Sequence, residues 1–196
     1  MDLNSFCIGI FGKSGSGKST LLKEYAKKLS LYKKIVCISP NEDIKGFKEI
    51  WQARDIWENM EKGQSKLMVR AFQPDYLDII INSAVLTRNW LILIDEMYKY
   101  QDCKSLIDLS QMRRHSNTSL VFTERRPATI DKRYLNECNI IVSFRQRENN
   151  VLKYLSEYME NDQIDVKNVL QNLDRYEYYC YSDNDNINGS IKKTRL

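Results

Sequence analysis

Short apolar runs, each closed by glycine, proline or a polar residue, alternate along the chain with segments whose apolar residues recur at helical spacing. Phe6-Cys-Ile-Gly-Ile-Phe11 is the first run, and its continuity predicts a strand buried on both faces, as in a parallel sheet. Leu21, Leu22, Tyr25, Ala26 and Leu29 then recur three and four apart, predicting a helix from about Lys18 to Leu29. Ile35-Val-Cys-Ile-Ser39 predicts a second strand, stopped by Pro40 and Asn41. The polar stretch Asn41 to Gln64 carries Trp51 and Trp57 as expected helical anchors. Leu67 to Phe72 predicts a strand, Asp75 to Leu86 a helix, and Trp90-Leu-Ile-Leu-Ile94 the strongest strand of the chain. A helix over Ser105 to Arg113, strands over Ser119 to Thr123 and Ile140 to Phe144, and helices over Val151 to Met159 and Ile164 to Leu173 complete the pattern. Such alternation predicts an α/β domain with a mainly parallel central sheet flanked by helices.

Beyond Leu173 the pattern lapses into RYEYYCYSDNDNINGS, poor in aliphatic residues. The expected organisation is therefore one domain over residues 1–173 and a polar tail over 174–196, its far end mobile. A length of 196 residues suits one domain with a sizeable core. No apolar run approaches the ~20 residues of a membrane span. The amino terminus opens with an acidic residue, has no basic region and runs straight into the motif that follows, so a cleaved signal would carry that motif away, which argues against a secretory reading. Cys7, Cys37, Cys103, Cys138 and Cys180 are scattered and odd in number, so they read as reduced thiols in a cytoplasmic setting, virion association staying open. Metal binding through cysteine or histidine is not expected, since His115 is the single histidine.

Candidate chemistry begins directly after the first strand. Gly12-Lys13-Ser14-Gly15-Ser16-Gly17-Lys18-Ser19 satisfies G-x-x-x-x-G-K-[ST] between a predicted strand and a predicted helix, the context a P-loop requires. The glycines let backbone N–H groups converge on a phosphate, and the helix amino terminus adds partial positive charge. Gly12 to Ser19, with Thr20, form the expected nucleotide-binding set for ATP and Mg²⁺. Lys18 is expected to bridge the β- and γ-phosphates, and the Ser19 hydroxyl to ligate Mg²⁺. No base-reading motif accompanies the loop, so ATP against GTP stays open.

Asp95 and Glu96 close the strongest strand, at the carboxyl end where open α/β sheets place ligands. Asp95 is the expected support of the Mg²⁺ shell, and Glu96 the expected general base toward water. The adjacent glutamate favours hydrolysis over transfer to a small acceptor. Thr123 or Glu124, closing the neighbouring strand, would lie near the γ-phosphate as a sensor. Arg113, Arg114, Arg125 and Arg126 flank that strand as candidate arginine fingers, a finger being worth ~10³-fold or more where it operates. His115 is expected to cap or pack at the helix–strand corner. The net charge of +4 says little, but Arg113–Arg114, Arg125–Arg133 and Arg145–Arg147 place bases at strand ends.

In order, GKSGSGKST, LILIDE, MRRHSNTSLVFTERRPATID and NIIVSFRQRE resemble the motifs of the FtsK–HerA superfamily, most closely the short viral genome-packaging ATPases of membrane-containing icosahedral viruses. The resemblance spans roughly Phe6 to Glu148, and its third piece is the most specific to the family. There the family commonly has glutamine before its Arg-Pro, where this chain has Glu124-Arg125, so Thr123 and Glu124 both stay candidates. Lys13 occupies the place of the signature lysine of partition-type ATPases, but the KGG form is absent, leaving it incidental or a local phosphate contact. The resemblance implies a P-loop NTPase core of RecA or FtsK–HerA type and an ATP-hydrolysing motor that translocates double-stranded DNA, packaging a viral genome into a preformed capsid. It also implies a homo-oligomeric ring, usually a hexamer, a site at each subunit boundary, non-sequence-specific DNA binding, and a capsid or membrane vertex protein as a further partner. The alternatives are a cellular or plasmid-borne conjugation or translocation ATPase of the same superfamily and, in a different class, a P-loop nucleotide or small-molecule kinase.

Overall fold

The computed structural model describes residues 5–39, 43–70, 73–100, 102–159, 164–182 and 189–194. Pro40, Asn41 and Phe72, to which the sequence pattern assigned element ends, lie outside them. The strands are β1 (Cys7–Phe11), β2 (Lys34–Ile38), β3 (Lys48–Ile50), β4 (Lys66–Val69), β5 (Trp90–Ile94), β6 (Ser119–Glu124), β7 (Ile140–Phe144), β8 (Glu177–Ser182) and β9 (Ser190–Lys193). The helices are α1 (Lys18–Leu29), α2 (Ala53–Glu61), α3 (Pro74–Thr87), α4 (Lys104–Ser116), α5 (Lys132–Asn136), α6 (Asn149–Tyr158) and α7 (Val166–Asn172). They build one sheet of order β3-β4-β2-β5-β6-β1-β7-β8-β9. β1 to β7 pair in parallel, and β8 and β9 continue antiparallel. The predicted α/β fold with a mainly parallel sheet is thus the one observed.

The continuous apolar runs have their reason in two packed faces. Trp90, Ile92 and Ile94 of β5 face one core with Leu120 and Phe122 of β6, while Leu91, Leu93 and Val121 face the other. Residues from α2 to α7 fill the first core; Leu21, Leu22, Ala26 and Leu29 of α1 fill the second. Since successive side chains of a strand point to opposite faces, both sets must be apolar when both faces are covered.

Two expectations are corrected. Trp51 and Trp57 do not anchor a helix: Trp51 is 64% exposed, and Ile56 and Met60, fully buried, hold α2 to the sheet. Ile56 and Met60 are four apart and share a helix face, whereas Trp57 is turned about 100° away from Ile56. The same polar stretch contains β3, an edge strand with exposed Lys48 and Glu49, as edge strands commonly carry. The segment from Asp174 does not stand apart as a tail. β8 pairs with β7 from Tyr178 to Ser182, and Tyr179 and Cys180 are buried. Tyrosines make good strand residues where a neighbouring strand and a covered face are available, and β7 supplies both. Residues 183–188 lie outside the described set.

All five cysteines are free and buried, Cys7 in β1, Cys37 in β2 and Cys180 in β8. Among the described residues no helix is long and apolar enough to cross a membrane, and no group of three or more His, Cys, Asp or Glu is arranged to hold a metal ion.

Candidate nucleotide site

The P-loop leaves β1 at the centre of the sheet, with β6 on one side and β7 on the other. Its turn into α1 needs glycine at two points. Gly17, at the amino cap of α1, has φ 110°, a left-handed conformation that a side chain would strain. At Gly12 a Cβ would lie 2.7 Å from Ser16 Oγ and 2.9 Å from Phe144 Cβ, so the loop folds tightly against β7.

Strand order does the rest. β6 runs between β1 and β5, so Thr123 and Glu124 close a strand that stands between the loop and Asp95-Glu96. Thr123, fully buried, joins the acidic pair: its hydroxyl donates to Asp95 Oδ1 at 2.6 Å and accepts from the Glu96 backbone N–H at 3.0 Å. Glu96 has φ 62°, and that hydrogen bond fixes it in a conformation costing of order 1–3 kcal/mol. Ser19 Oγ lies 3.5 Å from both oxygens of Asp95, and Ser39 Oγ lies 3.5 Å from Oδ2. Ser39 was missed in the sequence, although a polar residue closing β2 beside β5 was the available signal.

A cavity of about 390 Å³ gathers these groups, lined by residues of the loop (Ser14 to Thr20, Ser16 apart) and by Asp95, Glu96, Glu124, Arg125 and Tyr176. Lys18 lies at its base, its Nζ donating to Lys13 O at 2.9 Å. Burial pushes the Lys18 amine below its usual value, with the Asp95 charge opposing the shift. Glu96 Oε2 accepts from Lys99 Nζ, and Arg125 Nη2 stands 3.3 Å from Glu96 Oε1. The Lys99 hydrogen bond, against partial burial and with help from Arg125, holds the Glu96 carboxyl below the usual carboxylate range. Glu124 accepts from the Tyr98 backbone N–H at 2.9 Å and so also steadies the turn after Glu96.

These oxygens suit a magnesium ion, which takes hard oxygen ligands and commonly keeps several waters. Ser19 and Asp95 would hold it, and it would supply charge neutralisation for a phosphate chain.

The four arginines do not act as a group. Arg125 lines the cavity of its own chain. Arg126 turns aside to Glu148 at 3.3 Å, and Lys13 approaches the same carboxylate at 3.8 Å. Arg113 and Arg114 lie in the last turn of α4, before β6 begins, and hence at the amino end of the sheet. The six residues of β6 separate that end from Glu124 by roughly 20 Å. Arg113 is 3% exposed and donates to Glu137 Oε2 (3.2 Å), Glu137 O (3.2 Å) and Asn139 Oδ1 (2.9 Å). Asn139 Oδ1 also accepts from Cys7 N at 3.0 Å, so Arg113 ties the amino ends of β1, β6 and β7 together. A side chain fixed in this way cannot reach a neighbour's phosphate, and the finger expectation for Arg113 is withdrawn. His115 is exposed rather than packed. Arg113→Ala should cost stability, about 2–4 kcal/mol, by leaving buried acceptors unpaired. Denaturant unfolding and nucleotide affinity measured together check this, with lower stability and unchanged affinity expected.

The fold has close counterparts. The genome packaging NTPase B204 from Sulfolobus turreted icosahedral virus 2, in complex with AMPPCP, superposes with TM-score 0.82 at 19% identity, covering 98% of this chain and 99% of that one. A bacterial conjugative coupling protein, TrwBdeltaN70, gives 0.74 at 12% identity over 100% of this chain and 84% of that one. VirB4 of Thermoanaerobacter pseudethanolicus gives 0.63 at 11% identity over 96% and 88%. At such identities the likeness is one of fold. A comparison with curated protein sequences finds no match. Residues 1–189 match the Poxvirus A32 protein family, and with nearly the whole chain covered by that match the protein belongs to this family.

Proposed function

We propose that the protein is an Mg²⁺-dependent ATPase that drives double-stranded DNA into a viral capsid. The observation that carries the reading is one cavity holding a P-loop with its lysine, a serine facing an aspartate, and a glutamate beside that aspartate. Lys18 and the loop N–H groups bind and orient the phosphates, Thr123 holds Asp95 and Glu96 in register, and Glu96 takes the proton of the attacking water. Arg125, next to Glu96, senses the γ-phosphate within its own subunit. Arg114 and Arg126 remain the candidates for a finger reaching a neighbouring subunit in a ring, most simply a hexamer. Support for DNA as the cargo comes from the fold shared with a genome packaging NTPase and from the basic residues at strand ends. The fold shared with a bacterial conjugative coupling protein supports a second, related reading as another kind of DNA-moving ATPase.

The test is ATP turnover with and without long double-stranded DNA, across a salt series. Turnover that requires Mg²⁺ and rises several-fold with DNA of any sequence is expected, the stimulation fading as salt releases phosphate contacts. Turnover indifferent to DNA would remove the translocation reading. Phosphoryl transfer to a small acceptor would replace it with a kinase.

A further inference from the structure

A second cavity, about 370 Å³, adjoins the phosphate cavity, and Ser14, Gly15 and Tyr176 line both. It continues from the P-loop past Phe144 at the end of β7, bordered by Arg145 and Arg147, to the turn at Asp174 that leads into β8. Its volume falls within the roughly 300–1,000 Å³ of small-molecule sites. Tyr176 stands where the two cavities meet. It has φ 67°, rare for a side chain of its size, and its carbonyl accepts from Thr194 N at 3.1 Å, pinning the turn to the end of β9. A Cβ on Gly17 would lie 3.3 Å from Tyr176 Cδ1, so the ring packs directly on the P-loop. The Arg175 guanidinium lies 4.8 Å from the ring centroid. The antiparallel β8–β9 hairpin thus presents a braced aromatic ring at the edge of the phosphate site.

We propose that Tyr176 is a nucleotide-contacting residue and that the second cavity takes the purine base, the phosphates lying in the first. The proposal rests on the nucleotide reading of the P-loop and adds what it lacks, a place for the base. A triphosphate held at Gly17, Lys18 and Ser19 has its base at the far end of the chain, and the second cavity is the space that continues from the loop on the side of Ser14 and Gly15. A ring braced by backbone hydrogen bonds offers its face to a base without losing freedom on binding, and base–aromatic stacking is a contact every purine can make.

Equilibrium binding of AMPPCP and of inorganic tripolyphosphate, both with Mg²⁺, separates base from phosphate. For Tyr176→Ala the expected result is AMPPCP affinity lowered roughly tenfold or more, with tripolyphosphate affinity unchanged. Tyr176→Phe, which keeps the ring, should restore AMPPCP binding, and this contrast stands even if the alanine variant folds poorly. Equal losses for both ligands would make Tyr176 a support of the loop alone and overturn the proposal, as would no loss for either. Wild-type protein that binds tripolyphosphate as tightly as AMPPCP would also overturn it while leaving the phosphate site intact. Wild-type protein that binds neither would remove the nucleotide reading and the base site together.

Discussion

Lys18→Ala should reduce ATP turnover by at least ~10²–10³-fold, the scale for losing one donor aimed at developing charge, and should weaken triphosphate binding as well. Lys18 is 9% exposed at the base of the cavity and faces Asp95, Glu96 and Glu124. Among the described residues no other cation is comparably buried there: Arg125, the other basic residue lining the cavity, has its side chain 59% exposed. The substitution spares the fold for two reasons. Alanine is the strongest helix former, and Lys18 is the first residue of α1. The amine contributes charge rather than packing, and among the described residues its one hydrogen bond is to Lys13 O. Turnover, triphosphate affinity and thermal midpoint measured on one preparation check the prediction. Near-normal turnover in the variant would undo the functional reading entirely.

Glu96→Gln should separate binding from chemistry. Glutamine keeps the size and the backbone N–H that reaches Thr123, so Mg²⁺-dependent ATP binding should survive while turnover falls by ~10²-fold or more. Asp95→Asn, by contrast, alters the carboxylate that faces Ser19, Ser39 and Thr123 and should impair metal-dependent binding too. The ion pairs with Lys99 and Arg125 make the same experiment informative about pH. They depress the Glu96 pKa, so the carboxylate form is present above that value and is lost as pH falls through it. The acid limb contributed by this group is therefore expected below the ordinary glutamate value of about 4.3. A lowered pKa makes the carboxylate a weaker base, so Lys99 and Arg125 must loosen their hold for it to accept a proton. A fully active Glu96→Gln variant would demote the residue to a strand-end ion-pair partner and shift attention to Glu124.

The parts of this protein that were legible in its sequence are those set by neighbours in the chain. A P-loop is legible because its glycine spacing, its lysine and the flanking strand and helix all fall within about two dozen residues, and the backbone geometry needs those residues whatever surrounds them. Asp95 and Glu96 were legible because an apolar run of five residues ending in two carboxylates marks a strand end by itself. The apolar continuity of β1, β5 and β7 likewise reports burial on both faces, hence a parallel sheet between helices.

What escaped was decided by contacts between distant segments. Arg113 and Arg125 look alike as neighbours of one strand, but β6 carries them to opposite ends of the sheet, one into a buried hydrogen-bond cluster and the other into the cavity. Only the strand order β5-β6-β1 makes Thr123 the link between Asp95 and Glu96. Tyr176 gave no signal, because its left-handed backbone and its contact with Gly17 depend on a hairpin that pairs with β7. The aromatic-rich segment around it reads as a polar tail until that pairing supplies a covered face. Local spacing encodes what a short stretch of backbone must do; which side chains then share a cavity is determined by packing and strand order, where residues far apart in sequence become neighbours.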